Sequence, residues 1–153
     1  MQGSRLTTYE LVKDGFNVSL IADTMVGYMM SKGYIDKVIT GADRITRDGY
    51  VFNKIGTYQL SVLAEKHGIP FYTAAPTSSF DLNSDHDSIV IEKRDIVEIL
   101  KIGRVRMVPK GVNIINPAFD VTPPQLISGI VTNEGIVYPP LVENIEKLIR
   151  PHL

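Results

Sequence analysis

Residues 41–57 read GADRITRDGYVFNKIGT and connect a predicted strand to a predicted helix. The preceding KVIT, residues 37–40, contains β-branched residues that are typical of strands, and Gly41 permits a sharp turn where that strand ends. Open α/β sheets bind ligands outside the carboxyl ends of their strands. The stretch therefore predicts an α/β fold with Asp43 at the edge of a crevice.

Asn53 and Lys54 lie directly before the predicted helix of residues 55–66. The first turn of a helix has unpaired N–H groups and the positive end of the dipole, and both favour an anion. Lys54 adds a full positive charge, so the pattern predicts an anion site. A carboxylate beside that site, Asp43, suits proton transfer on a phosphorylated metabolite that is held by its phosphate.

Each of these three residues also has a purely structural interpretation. An Asp at the end of a strand often caps a turn or pairs with a neighbouring Arg, and residue 44 is Arg. Asn53 can be only an N-cap, and Lys54 only a solvated side chain. Spacing alone leaves both interpretations open.

Strand and helix patterns alternate along the rest of the chain, which is typical of a Rossmann-like, open, mostly parallel twisted sheet flanked by helices. We expect a single domain over residues 1–153. The predicted strands are residues 17–22, 37–40, 70–74, 89–91, 104–108 and 112–115. The predicted helices are residues 7–14, 23–33, 55–66, 123–130 and 142–149.

Three local patterns add detail to these elements. Thr7 with Glu10, and Thr122 with Gln125, have the spacing of capping boxes, and Asp23 can cap the second helix. In the third helix, one face carries the apolar residues that we expect to pack on the sheet, namely Ile55, Tyr58, Val62 and Leu63. The polar run of residues 82–88 predicts a mobile loop with a solvent-facing His86.

The composition limits the possible functions. The formal net charge is −1, so nothing indicates bulk attraction to nucleic acid or to an anionic membrane. A basic run is expected to be a solvated face: Lys101, Arg104, Arg106 and Lys110. The absence of Cys excludes a disulfide framework and fits a cytoplasmic setting, and no signal peptide or apolar run of membrane length is present.

Several blocks, taken in order, resemble one enzyme family. After Gln2, Gly3 and Arg5 they are GADR, NKIGTY, PFYTAAPTSSFD, IEKRD and NPAFDVTP. Nearly the whole chain is similar to the C-terminal domain of methylthioribose-1-phosphate isomerase. The wider group includes ribose-1,5-bisphosphate isomerases and the regulatory subunits of initiation factor 2B. The pair Asp43-Arg44 favours the isomerases over the regulatory subunits, while the bisphosphate isomerases, which keep the Asp, remain an alternative.

The resemblance implies an aldose-to-ketose isomerisation of methylthioribose 1-phosphate in methionine salvage. Asp43 would be the general acid or base, and Gln2, Asn53 and Lys54 would bind the substrate. Asn116 and Asp120 would lie next to the substrate-binding residues and hold them in position. The resemblance also implies a homodimer and no metal or organic cofactor.

The chain also departs from that family. Family members have an N-terminal domain with a catalytic cysteine and basic residues for the phosphate, whereas this chain has no Cys. We therefore expect a C-terminal fragment, one half of a split enzyme or a relic, with activity only beside an N-terminal half.

Overall fold

The structure, a computed structural model, describes residues 3–149. Its helices are α1 (Thr8–Lys13), α2 (Val26–Ser31), α3 (Thr57–Lys66), α4 (Val97–Leu100) and α5 (Leu141–Leu148). Its strands are β1 (Val38–Thr40), β2 (Arg44–Thr46), β3 (Val51–Lys54), β4 (Phe71–Ala74), β5 (Phe80–Asp81), β6 (Lys101–Ile102), β7 (Val105–Arg106), β8 (Phe119–Thr122), β9 (Gly129–Thr132) and β10 (Gly135–Val137).

The described strands form two four-stranded sheets and one small hairpin. The first sheet has the order β1-β4-β9-β10, with parallel pairing except for β10, which is antiparallel to β9. The second has the order β5-β2-β3-β8, in which β2, β3 and β8 are antiparallel neighbours and β5 is parallel to β2. The predicted α/β class with flanking helices is confirmed, although the strands are divided between two mixed sheets.

Side chains from both sheets share one hydrophobic core with α2, α3 and α5. The residues buried there include Met30, Ile45, Val51, Ala64, Phe71, Ile130, Val137, Leu141 and Ile145. Burial of this apolar surface is the dominant favourable term in folding, so the core fixes the two sheets against each other. The loops of both sheets are therefore attached to one shared core.

The predicted packing face of α3 is only partly correct: Leu63 packs against the core, but Ile55 is exposed. Its buried residues are small or polar, namely Thr57, Ser61 and Ala64, while Tyr58 and Val62 are exposed. The helix packs near β1, β4 and β8, and small side chains let its backbone approach those strands closely. Buried Ser61 satisfies its hydroxyl by donating to the carbonyl of Tyr58 at 2.8 Å.

Four predicted elements are not formed: the strands of residues 17–22, 89–91 and 112–115 and the helix of residues 123–130. Residues 16–22, which include the predicted strand 17–22, have no regular secondary structure. Residues 123–130, predicted as a helix, instead form a single 3-10 turn (Pro124–Leu126) followed by β9. Tertiary pairing of β9 with β4 overrides the local capping signal there.

The predicted helix caps are also wrong. Thr7 lies inside a turn of π-helix, Gly3–Thr7, that leads into α1, and its side chain makes no capping hydrogen bond. Asp23 begins a 3-10 turn before α2 without a side-chain capping bond. The helices at these positions are nevertheless confirmed, as are the strand that ends at Thr40 and the final helix.

Residues 82–88 are tied to the connection between β2 and β3. The ring of His86 stacks on Tyr50 with centroids 3.8 Å apart, and its Nδ1 lies 2.5 Å from an Asp48 carboxylate oxygen. Arg47 also forms an ion pair with Asp85. The prediction of a solvent-facing His86 is therefore wrong.

The C-terminal half also differs from the prediction in its small strands. β6 and β7 form an antiparallel hairpin, while residues 112–115 have no strand. The basic residues of this region are exposed, as expected. None of the described helices is long and apolar enough to cross a membrane.

Candidate functional site

Asp43 lies between the end of β1 and the start of β2. Its backbone N–H donates to the carbonyl of Phe52 at 2.9 Å, which fixes the residue beside β3. Its exposed side chain lines a cavity of about 260 Å³, whose wall also contains Arg44, Glu92 and Phe119. The carboxylate therefore faces an open concavity, as a general acid or base requires.

The neighbouring Arg44 does not neutralise Asp43 in this arrangement. Its guanidinium lies 3.2 Å from a carboxylate oxygen of Asp81, on the adjacent strand β5. The interpretation of Asp43 as an ion-pair partner of Arg44 is thus not supported.

Asn53 and Lys54 lie on β3 rather than in a loop before the helix. The Asn53 side-chain amide donates to the hydroxyl of Thr57 at 2.9 Å, and that hydroxyl donates to the Lys54 carbonyl at 2.7 Å. The N-cap of α3 is Gly56, whose φ of 104° lies in the left-handed region that favours glycine. Asn53 is therefore not the N-cap, but it holds the turn from β3 into α3.

The amino end of α3 is already occupied by a carboxylate. Asp120 on β8 accepts hydrogen bonds from the N–H groups of Gly56 at 2.6 Å and Tyr58 at 3.1 Å. Burial raises the pKa of Asp120, and these two N–H donors oppose that rise. The predicted anion position at this helix end is thus filled by a side chain of the chain itself.

A larger cavity of about 1,130 Å³ lies next to Lys54. Its wall combines three basic residues, Arg5, Lys54 and Arg94, with Asn116 and two acidic residues, Asp23 and Glu98. Basic side chains and amide donors of this kind suit a phosphate or a sugar hydroxyl. The arrangement places a candidate anion site on the side of Lys54 rather than at the helix end.

Arg94 is held in this wall by Glu98. The guanidinium donates to both carboxylate oxygens, at 2.7 Å from Nη2 and 2.9 Å from Nε, and this contact lowers the pKa of Glu98, with a smaller contribution from Lys54. The backbone N–H of Arg94 donates to the carbonyl of Asn116 at 2.9 Å. Arg94 and Lys54 thus share one acidic neighbour.

The sequence reasoning did not include Arg94, Glu98 or Glu92 in the site. The spacing of Arg94 and Glu98, four residues apart, was a signal for their pairing on a helical turn. Nothing local in the sequence indicated that this pair lies beside Lys54, because that contact joins distant segments. The same holds for Glu92, which shares the smaller cavity with Asp43.

The predicted site residues do not all meet in one cavity. Lys54 lines the larger cavity and Asp43 the smaller one, while Asn53, next to Lys54 on β3, lines neither. Gln2 lies outside the described residues, although its neighbour Gly3 lines the larger cavity. Within residues 3–149, no group of three or more His, Cys, Asp or Glu side chains is placed to hold a metal ion.

Proteins of known sequence or structure share this framework. A methylthioribose-1-phosphate isomerase from Carboxydothermus hydrogenoformans is 55% identical over 149 residues, which cover 97% of this chain and 43% of the relative. The crystal structure of 5-methylthioribose 1-phosphate isomerase from Pyrococcus horikoshii has a TM-score of 0.93 at 47% identity, covering 98% of this chain and 42% of that one.

A crystal structure described as subunit delta of translation initiation factor 2B from A. fulgidus has a TM-score of 0.94 at 50% identity. The matched region covers 97% of this chain and 44% of that one. The chain thus spans less than half the length of these relatives. The model of the initiation factor 2 subunit family matches residues 1–139. The chain therefore belongs to the initiation factor 2 subunit family.

Proposed function

We propose that this chain is the C-terminal part of a methylthioribose-1-phosphate isomerase and that residues 1–153 act in it as one domain. The observation that carries the proposal is the 55% identity to such an isomerase over 97% of the chain. The cavity with Arg5, Lys54 and Arg94 supports it, because its three basic side chains outnumber its two acidic ones, Asp23 and Glu98, and can contact a phosphate. The reaction would convert methylthioribose 1-phosphate to methylthioribulose 1-phosphate, in methionine salvage.

The proposed chemistry needs a proton donor or acceptor and a firm hold on the substrate. Asp43 would act as general acid or base during ring opening and the movement of hydrogen between C1 and C2. Gln2, Asn53 and Lys54 would bind the substrate, with Lys54 as a charge-assisted partner and Asn53 as an amide donor.

We further propose that catalysis requires a second polypeptide region, which corresponds to the remaining length of the relatives and supplies a cysteine. β1 lies at the edge of its sheet, and Ile39 on it is 67% exposed. The extended segment 16–22 has no sheet partner among the described residues, and its Leu20 is 65% exposed. An open strand edge beside exposed apolar side chains is a natural place for another strand to pair.

Two further properties are proposals from the same relationship. A homodimer is supported by exposed apolar side chains on the hairpin of β6 and β7, Ile102 and Val105, since unburied apolar surface commonly marks an interface. A cytoplasmic location is supported by the lack of Cys and by the metabolic substrate proposed.

A second candidate function is a non-catalytic regulatory module. It is favoured by the likeness to the structure described as an initiation factor subunit, with its TM-score of 0.94. The position of Asp43 argues against it, because a sensor needs no acid or base facing a cavity. A ribose-1,5-bisphosphate isomerase is a third candidate that Asp43 does not disfavour.

Calorimetric titration separates these candidates. The chain would be mixed with the N-terminal half of the Carboxydothermus relative and titrated with methylthioribose 1-phosphate or with ribose 1,5-bisphosphate. We expect tighter binding of methylthioribose 1-phosphate. Tighter binding of the bisphosphate would favour the third candidate, and binding of neither would contradict a phosphosugar site.

A further inference from the structure

The amino end of α3 is closed by a charged side chain. An α-helix leaves the N–H groups of its first turn unpaired, and the dipole makes that end attractive to anions. In this chain the carboxylate of Asp120 takes two such donors, the N–H groups of Gly56 at 2.6 Å and Tyr58 at 3.1 Å. The carboxylate stands where an external anion would otherwise bind.

The same carboxylate is connected to the strand that carries the proposed substrate-binding residues. Asn53 and Asp120 are direct partners in the register of β3 and β8. One residue past β3, the N–H of Ile55 donates to the carbonyl of Ala118 at 3.1 Å. The turn that follows Lys54 is therefore held from the β8 side, and Asp120 provides its charged contact.

We propose that Asp120 is a positioning residue that acts as an internal anion: it occupies the amino end of α3 and directs a ligand phosphate to the cavity of Lys54, Arg5 and Arg94. Two anions at one helix end would repel each other, whereas the wall of that cavity holds Arg5 and Lys54 beside the Arg94–Glu98 ion pair, with Asp23 as its other acidic residue. The identity of the ligand rests on the proposed function, but the occupation of the helix end does not.

Phosphate titration followed by amide NMR tests this inference. The isotope-labelled chain would be titrated with inorganic phosphate as the wild type, as Asp120→Asn and as Asp120→Ala. We expect little response of the Gly56 and Tyr58 amides in the wild type. In Asp120→Ala both amides should respond, with phosphate affinity at that end raised about tenfold or more. Asp120→Asn preserves the shape of the side chain and should show a smaller gain.

A matched control removes a charge from the same helix without touching its amino end. Glu65 is exposed near the carboxyl end of α3, so Glu65→Gln should behave as the wild type. A change that merely loosened the helix would not create a saturable phosphate site at two specific amides. The readout therefore distinguishes occupation by an anion from a general structural role.

Two results would overturn the inference: saturable phosphate binding at Gly56 and Tyr58 in the wild type, or no gain in either Asp120 variant. If the variants gain binding while wild-type phosphate also perturbs the amides of Lys54 and Arg94, both the inference and the proposed function are supported. If the variants gain binding and wild-type phosphate perturbs nothing near Lys54, Asp120 is the anion that closes the helix end, but the inferred direction of phosphate to the Lys54 cavity and the proposed anion site are both contradicted.

Discussion

At the scale of single residues, Arg44 forms an ion pair with Asp81, while Asp43, for which we propose the role of acid or base, lines a cavity. We expect Asp43→Asn to abolish turnover in the complete enzyme and to leave substrate affinity nearly unchanged. The amide keeps the shape of the side chain but cannot exchange a proton. Steady-state kinetics would show the loss in kcat.

The control for that variant is Asp85→Asn, which removes a loop carboxylate paired with Arg47, outside both cavities. It should retain turnover. Full turnover by Asp43→Asn would remove Asp43 from the mechanism.

Lys54 differs from Asp43 in that its proposed role is binding. We expect Lys54→Ala to weaken phosphosugar binding by about 1.5–3 kcal/mol, the usual range for a hydrogen bond to a charged group. Calorimetry would measure the change. Lys66→Ala, an exposed lysine at the far end of α3, is the matched control and should bind as the wild type. Equal affinity for both variants would place Lys54 outside the site.

At the scale of elements, α3 packs through small residues and therefore tolerates little added volume. Ala64 is fully buried in the common core. We expect Ala64→Leu to destabilise the chain by about 1–3 kcal/mol through overpacking. Val62→Leu, a change on the exposed side of the same helix, should have a much smaller effect in urea unfolding. A similar loss in both variants would contradict the packing described.

The contact between His86 and Asp48 makes the attachment of residues 82–88 depend on pH. The hydrogen bond to Asp48 raises the pKa of His86, so its contribution to stability is fully present below the unfolded value of 6.5 and is lost as pH rises through the folded pKa. Burial alone would raise the pKa of Asp48, but hydrogen bonds from Thr46 and His86 outweigh it and lower that pKa. The contribution of Asp48 to stability is therefore present above pH 3.8, its unfolded pKa, and is lost as the pH falls through the lower pKa of the folded state.

The free energies of unfolding of the wild type and of His86→Ala should therefore differ most near pH 6, between these limits. The difference should shrink at alkaline pH to what the stacking of His86 on Tyr50 contributes. A difference between wild type and His86→Ala that is constant from pH 6 to pH 9 would contradict the ionic contact.

At the scale of the whole molecule, local patterns in the sequence predicted elements but not their partners. The strand before Asp43 and the last helix follow from local periodicity, and both are present. The hairpin of β2 and β3 was missed because β3 is stabilised by pairing with β8, which is distant in sequence. For the same reason, the contacts of Asp120 with α3 and of Asp48 with His86 had no local signal.

The strand predicted over residues 17–22 is missing for a different reason. Its apolar residues favour a strand, but a strand requires a neighbour with free backbone groups, and none pairs with it among residues 3–149. The exposed edge of β1 is consistent with the proposal that a further polypeptide region completes the sheet. The candidate site would then be shared between two regions.

The central claim is that this chain contributes one half of an isomerase active site. The measurement that tests it most directly is the conversion of methylthioribose 1-phosphate to its ketose by the chain alone and by the chain mixed with a separately produced, cysteine-containing N-terminal half. The account predicts conversion only in the mixture. No conversion in either sample, with both polypeptides folded, would contradict it.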